Sequence, residues 1–319
     1  MSRACRGSIR TQRSNRFRND GDEAGGVTVE LFGVVIQAVL QGLTEFLPVS
    51  SSGHLVLTQH FLGVGGESAL LLSVVLHLGT LLSVVMVYHR TVWELIREAV
   101  RFLRDLFGGK LRFKEMSESR RLLMMLVAAT APLLLFYFLK DPIKRVSSDD
   151  SILFEGFCFL YTGVLLALSD RLGKREKGVG QIKAADALTV GFLQGTALLP
   201  GVSRSGSTIA GGLFRGFRRE TAVRFSFLLS IPPILAGSLT EFLDCREAGE
   251  QVDPGLLVVG FLVATAVGFL SIRLVNRLIR DDRFRVFSYY LLALGTIVIV
   301  IGIVEAANGG INIIRLLSR

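Results

Sequence analysis

Glu45 lies inside an otherwise apolar segment, four residues after Gln41, a spacing that sets both side chains on one face of a helix. Ionisable groups at membrane depth are costly, and where they occur they mark function. A polar turn follows within ten residues, Ser50-Ser51-Ser52-Gly53-His54. Such a Ser/Gly turn leading into a helix offers hydroxyls and backbone N–H groups to an anion, and its serines also suit an N-cap. His54, beside a carboxylate and three hydroxyls, reads as a proton shuttle or a nucleophile. A second polar turn carries Ser203, Arg204, Ser205, Gly206 and Ser207, with Thr208 next. The planar fork of Arg204 suits phosphate oxygens; its structural alternative is an ion pair with Glu45. Together these groups have the parts for phosphoryl transfer: Arg204 and loop N–H groups to hold charged oxygens, Glu45 to hold a divalent cation or orient a nucleophile, and a hydroxyl or imidazole to attack. No Walker loop, HExxH or GxSxG is present.

The elements that must position these residues are those of a membrane protein. Apolar stretches at about 68–88, 121–139, 152–170, 222–243, 255–274 and 288–305 are each long enough to cross a bilayer. Pro232-Pro233 is expected to kink its span. His77 is expected to line a cavity, and Glu155 to sit at a span end in the interface. The two polar turns interrupt apolar runs that are too short on either side to be clean spans. Irregular backbone at that depth survives only against protein or a water-filled cavity, so each reads as a re-entrant helix-loop-helix.

The two turns are copies. At a constant offset of 153 residues, nine of 24 positions from Leu40 to Gly63 are identical without a gap, among them Gln41, Gly42, Ser50, Ser52 and Gly53 against Gln194, Gly195, Ser203, Ser205 and Gly206. An internal repeat governs the fold. Three spans lie between the copies, so the second enters from the opposite face. The expected architecture is an all-α polytopic membrane protein with an inverted-topology repeat, each copy a re-entrant helix-loop-helix plus three transmembrane helices (about 27–170 and 185–305). Broken helices of inverted repeats usually frame a binding site near the midplane. Residues 27–319 form one integral membrane domain. Residues 1–26, with six arginines and few large apolar residues, are expected to be a disordered basic tail.

The net charge of +9 does not point to nucleic acid, because the basic residues cluster in short loops between apolar runs. Arg90–Arg121, Arg171–Lys183 and Arg273–Arg285 are placed in the cytoplasm by that rule, and both termini fall outside; the arginine-rich tail runs against it. The stretch Arg90–Phe107 is expected to lie along the interface as an amphipathic helix. Cys5, Cys158 and Cys245 have neither disulfide-framework nor zinc spacing.

The runs Gln41–His54 and Pro200–Ile209 resemble, almost letter for letter, the two signature stretches of the undecaprenyl-diphosphate phosphatases, the bacitracin-resistance family. The resemblance implies hydrolysis of the C55 lipid diphosphate at the outer face of the bacterial plasma (inner) membrane, recycling the carrier for cell-wall synthesis. It implies a divalent cation, Mg2+ or Ca2+, and membrane lipid with undecaprenyl diphosphate as partners; a homodimer is allowed. Residue by residue it makes Glu45, Ser51, His54 and Arg204 catalytic, with Glu45 the metal ligand. Gln41, Ser50, Ser52, Gly53, Ser203, Ser205, Gly206 and Thr208 would bind substrate. Some members carry Glu where this chain has Gln41, which removes one carboxylate from the metal site. The alternative of another class is a lipid-phosphate transporter or flippase using the same inverted-repeat cavity; the combination of Glu45, Ser51 and His54 speaks for chemistry. A different lipid phosphatase superfamily would need a histidine after Arg204, and all four histidines precede it.

Overall fold

The computed structural model describes residues 20–62, 70–109, 116–138, 151–172, 176–248, 252–280, 284–309 and 312–313, with side chains from residue 31 onward except at 62, 137, 172, 248 and 280. The expectation of a disordered tail falls partly on residues 1–19, outside that set. The described elements are helices: α1 (Asp20–Thr44), α2 (Ser51–Leu62), α3 (Leu70–Val87), α4 (His89–Phe107), α5 (Glu118–Tyr137), α6 (Leu153–Leu172), α7 (Ala184–Thr196), α8 (Arg204–Phe214), α9 (Arg219–Leu229), α10 (Ile231–Ala248), α11 (Pro254–Arg280) and α12 (Arg285–Ala307). α1 thus begins at Asp20 rather than at Val27. Among the described residues six segments are long and apolar enough to span: Leu70–Val87, Glu118–Phe136, Leu153–Arg171, Arg219–Glu247, Pro254–Ile279 and Arg285–Ala307. The protein is a multi-pass membrane protein.

The expected spans hold to within a few residues, and one of them is broken. α9 and α10 share a single crossing interrupted at Ser230, and the interruption sits where the sequence places Pro232 and Pro233, which supply no backbone N–H to the helix. Large apolar side chains such as Leu82, Met86, Val258, Leu262 and Leu270 are exposed on the outer faces, as a hydrocarbon solvent requires. Inside, small residues let backbones approach. A Cβ on Gly295 of α12 would lie 2.8 Å from the Gly156 carbonyl oxygen of α6, and one on Gly42 of α1 would lie 2.8 Å from Val267 Cβ of α11.

α4 is amphipathic and packs chiefly against α5, with Leu95 in the core. It exposes Trp93, Ile96, Val100, Leu103 and Phe107 along one side, while Glu98 turns inward to pair with Arg101 at 2.6 Å and Arg120 at 3.2 Å. Glu155 departs from expectation: it is buried beneath the second polar turn rather than interfacial.

The base of the second hairpin is pinned by one carboxylate. Asp186, fully buried in the first turn of α7, accepts from the Lys183 N–H at 3.0 Å, from Lys177 Nζ at 2.9 Å and from Arg215 Nε at 2.8 Å. It therefore ties the start of α7 to the residue that follows α8. Burial alone would raise this carboxyl, but those three donors hold it below the ordinary value of 3.8. A carboxylate depressed in the folded state leaves the unfolded chain binding more protons, so its contribution is complete above about pH 4 and is lost as the pH falls through the folded value. Asp186→Asn should cost about 1–3 kcal/mol at neutral pH, because it takes the charge from three hydrogen bonds to a buried acceptor while the two cations keep part of their hydration. Detergent-phase unfolding of both proteins should show that gap narrowing below pH 4; a gap independent of pH would contradict this account.

Candidate active site

The first hairpin turns at residues Glu45–Val49 because Pro48 cannot continue a helix and disfavours one before it. Ser50 then takes φ of 73°, the only positive value among described non-glycine residues, a conformation costly for a side chain. Three hydrogen bonds offset that cost. The Ser50 hydroxyl accepts from the Gly53 N–H at 3.3 Å, and the Ser50 carbonyl accepts from the His54 N–H at 3.3 Å and from His54 Nδ1–H at 2.7 Å. Ser51 is thereby placed first in α2, its hydroxyl donating to Glu45 Oε2 at 2.9 Å. Gln41 Nε2 donates to the same oxygen at 2.9 Å, as the spacing of four predicted.

The second hairpin turns at Gly201, with φ of 91°. Ser203 caps α8 by accepting from the Gly206 N–H at 3.0 Å, and its own N–H donates to Thr162 of α6 at 3.2 Å. Arg204 is thus the first residue of α8. The two tips meet directly. Arg204 Nη2 donates to Glu45 Oε1 at 2.7 Å, the Gly201 N–H to Ser52 Oγ at 3.1 Å, and Ser205 Oγ to the Leu47 carbonyl at 3.0 Å. Gly53 is required at this junction. A Cβ there would stand 2.6 Å from the Phe159 ring and 3.3 Å from Gly201 Cα. Gly53→Ala should therefore destabilise the protein by about 1–3 kcal/mol, read as a fall in melting temperature; an unchanged melting temperature would refute the close contact.

Between the tips lies a cavity of about 210 Å3 lined by Glu45, Ser50, Ser51 and Ser52, by Ser203, Arg204 and Ser205, by His77 of α3, and by Ser238 and Glu241 of α10. Two of its polar atoms, Arg204 Nη1 and Ser238 Oγ, are buried without a hydrogen-bond partner. Buried donors are rarely left unfilled, so both fit a polar ligand. His54, although expected with Glu45 and Ser51, turns away from the cavity. Since Ser50 O accepts from Nδ1, that nitrogen carries the proton, and Nε2 accepts from the Tyr290 hydroxyl of α12 at 2.7 Å. The ring stacks on Tyr290 with centroids 5.8 Å apart and meets Phe159 edge-on. Thr208 is likewise outside: its hydroxyl bonds the Arg204 and Ser205 carbonyls and Ser226 Oγ. The N–H groups of Gly53 and Gly206 are taken by the serine caps. Gln41 lines a neighbouring apolar cavity and reaches this one only through Glu45.

Sequence reasoning missed Ser238 and Glu241. A signal existed, since Leu239-Thr240-Glu241-Phe242-Leu243 repeats Leu43-Thr44-Glu45-Phe46-Leu47 letter for letter. Glu241 accepts from Ser73 Oγ at 3.3 Å. Glu45 and Glu241 are the carboxylates of the cavity. No group of three His, Cys, Asp or Glu side chains stands close enough among the described residues to cage a metal by itself.

Residues 34–297 match the family described as "Bacitracin resistance protein BacA". The undecaprenyl-diphosphatase of Alkaliphilus metalliredigens is 40% identical over 271 residues, covering 84% of this chain and 98% of that protein. The undecaprenyl-diphosphatase of Rubrobacter xylanophilus is 38% identical over 275 residues (85% and 97%), and that of Halothermothrix orenii 35% over 275 residues (86% and 98%).

Proposed function

The chain belongs to the bacitracin resistance protein BacA family, and we propose that it hydrolyses undecaprenyl diphosphate to undecaprenyl phosphate and inorganic phosphate, recycling the lipid carrier for cell-wall synthesis. The observation that carries the reading is Arg204. One arm of its guanidinium is fixed to Glu45, and the other is a buried donor without an acceptor in a cavity that also holds Ser51. That is the arrangement a terminal phosphate completes.

The isoprenoid chain lies against the apolar outer faces, and the diphosphate enters between the tips. Arg204 and Ser238 hold the oxygens of the terminal phosphate. Ser51 Oγ attacks its phosphorus as Glu45 Oε2 takes the hydroxyl proton across the existing hydrogen bond. The bond to the bridging oxygen breaks, and undecaprenyl phosphate leaves with the proton that Glu45 returns to it. Water then gives a proton to the freed Glu45 carboxylate and attacks the phosphorus on Ser51; the bond to Oγ breaks, Glu45 hands that proton to Oγ, and phosphate leaves. Such catalysis is positioning and charge stabilisation. A divalent cation, Mg2+ or Ca2+, fits the two carboxylates of the cavity: Glu45 and Glu241 would hold it. When bound it would neutralise charge on the phosphates.

His54 in this reading is a positioning residue that holds the Ser50 carbonyl and so the turn presenting Ser51. His54→Gln should lower kcat about tenfold or a little more, well short of the loss at Ser51. Tyr290→Phe, which removes only the far partner, should cost less still. Equal losses at His54 and Ser51 would return His54 to proton transfer or attack.

The inverted-topology repeat belongs to the same proposal. Its support is that bonds recur at the offset of 153: Gly53 to Ser50 and Gly206 to Ser203, then Ser50 with Ser52 at 3.4 Å and Ser203 with Ser205 at 3.3 Å. The entering helices also swap partners, α1 packing on α11 of the second half and α7 on α5 of the first. With the basic loops inside, the cavity faces the outer side of the bacterial plasma membrane. A homodimer is compatible with this arrangement.

The reading is tested by incubating the purified protein with undecaprenyl diphosphate and Mg2+ and following the lipid by mass spectrometry. Conversion to the monophosphate is expected. A lipid that stays a diphosphate while crossing vesicle bilayers would favour transport instead.

A further inference from the structure

We propose that the bundle carries a second phosphate-binding site at the end opposite the candidate active site, built by Arg224, Arg273, Tyr88 and Asn276 and accepting the dianion of inorganic phosphate or of a phosphate-monoester headgroup. The inference does not depend on the hydrolysis proposed above.

A cavity of about 530 Å3 opens there, lined by Tyr88, Glu220, Arg224, Arg273, Asn276 and Arg277. Its place follows from the helices. Tyr88 comes directly after α3, whereas His77 of α3 lines the first cavity; eleven residues of helix separate them by ~16 Å. Arg224 of α9 and Glu241 of α10 stand in the same relation along the broken span. Between the two cavities lies a layer of rings. Phe46, next to Glu45, meets Phe227 at 5.4 Å between centroids, and Phe227 meets Tyr88 at 6.4 Å. Phe46 and Phe227 are fully buried, so the polar walls of the cavities do not merge.

The lining selects for anions. The guanidiniums of Arg224, Arg273 and Arg277 line it with one carboxylate, Glu220. Basic residues that serve only to orient a membrane protein face water. Arg224 does not: Nη2 donates to Thr91 Oγ1 at 2.9 Å, while Nε is buried with no acceptor. An enclosed guanidinium donor without a partner is unfavourable, and an anion oxygen supplies what it lacks. Arg273 is steered by the Phe269 ring, 4.4 Å from its guanidinium carbon. Tyr88 and Asn276 sit together, Asn276 Nδ2 donating to the Tyr88 hydroxyl at 3.2 Å and that hydroxyl reaching Asn276 Oδ1 at a long 3.4 Å, a weak contact that an anion oxygen can replace. Planar donors from two helices beside a hydroxyl suit the several oxygens of a tetrahedral dianion.

The test is equilibrium binding of radiolabelled orthophosphate, and separately of farnesyl monophosphate, to the full chain in detergent. It compares wild type, Arg204→Lys, Arg273→Gln and the pair Arg224→Gln with Arg273→Gln. A binding component kept in Arg204→Lys and weakened at least about tenfold in the pair is expected, with hydrolysis by the pair within about twofold of wild type. Arg273 is exposed, so its single variant folds and should alone weaken binding several-fold. Binding of orthophosphate identifies free phosphate as a ligand; binding of farnesyl monophosphate alone identifies a lipid headgroup. Isotherms for both ligands that the pair leaves unchanged, or wild-type binding lost entirely in Arg204→Lys, would overturn the proposal.

Discussion

Replacing Arg204 with lysine should lower kcat/KM by about a hundred- to a thousandfold while the protein still folds. Arg204 does two things at once that a lysine cannot. Its Nη2 holds Glu45 Oε1 at 2.7 Å, and its Nη1 remains a buried donor in the cavity. A lysine ammonium satisfies Glu45 as a point charge and has no rigid second arm for the phosphate. The fold survives because Glu45 stays paired. Arg204→Ala should lose more, and for a mixed reason. It also strands the buried Glu45 carboxylate, at about 3–5 kcal/mol of stability. The comparison therefore separates charge from geometry. Unfolding in detergent reports the first, and steady-state phosphate release reports the second. A lysine variant as active as wild type would show that the second arm does not touch substrate.

The larger effect is expected at Ser51. Ser51→Ala should reduce kcat by about ten-thousandfold or more, because no other hydroxyl of the tips is hydrogen-bonded to Glu45. Ser50 and Ser52 are engaged with Gly53, Gly201 and each other. The variant should fold, since Gln41 and Arg204 still donate to Glu45. Acid quenching of wild type with a substrate labelled at the terminal phosphate should leave the label on Ser51. Label on His54 would move the nucleophile there, and label on neither residue would favour direct attack by water.

Much of this was legible in the sequence because membrane proteins write their constraints in long runs. Six apolar stretches gave six spans, and the charged, Trp-bearing stretch after Tyr88 gave the amphipathic α4. The gapless match at 153 residues pointed to both polar turns, and the Glu45–Arg204 pair is the structural alternative that the sequence offered for Arg204. Spacing of four correctly set Gln41 on Glu45. What spacing could not give is the direction of a ring. His54 is three residues from Ser51 in sequence, yet Tyr290, far along the chain, decides where its imidazole points. Nor could an apolar run announce that one face of it lines a cavity. Ser238 and Glu241 read as the end of an ordinary span until α3 and α10 were seen packed together, Ser73 against Glu241. Glu155 misled for a related reason. Its place near a span end suggested water, but the second hairpin tip covers it.

The central claim is that one residue from each hairpin tip, Glu45 from the first and Arg204 from the second, makes a single phosphoryl-transfer site. It is tested most directly by phosphate release from farnesyl or undecaprenyl diphosphate by detergent-purified protein, with and without EDTA, for wild type, Glu45→Gln and Arg204→Lys. Cation-dependent release by wild type is expected, collapsing in both variants even though each retains the melting behaviour of a folded protein. Release that survives in either folded variant would contradict a shared site, and no release by folded wild type would contradict the enzyme itself.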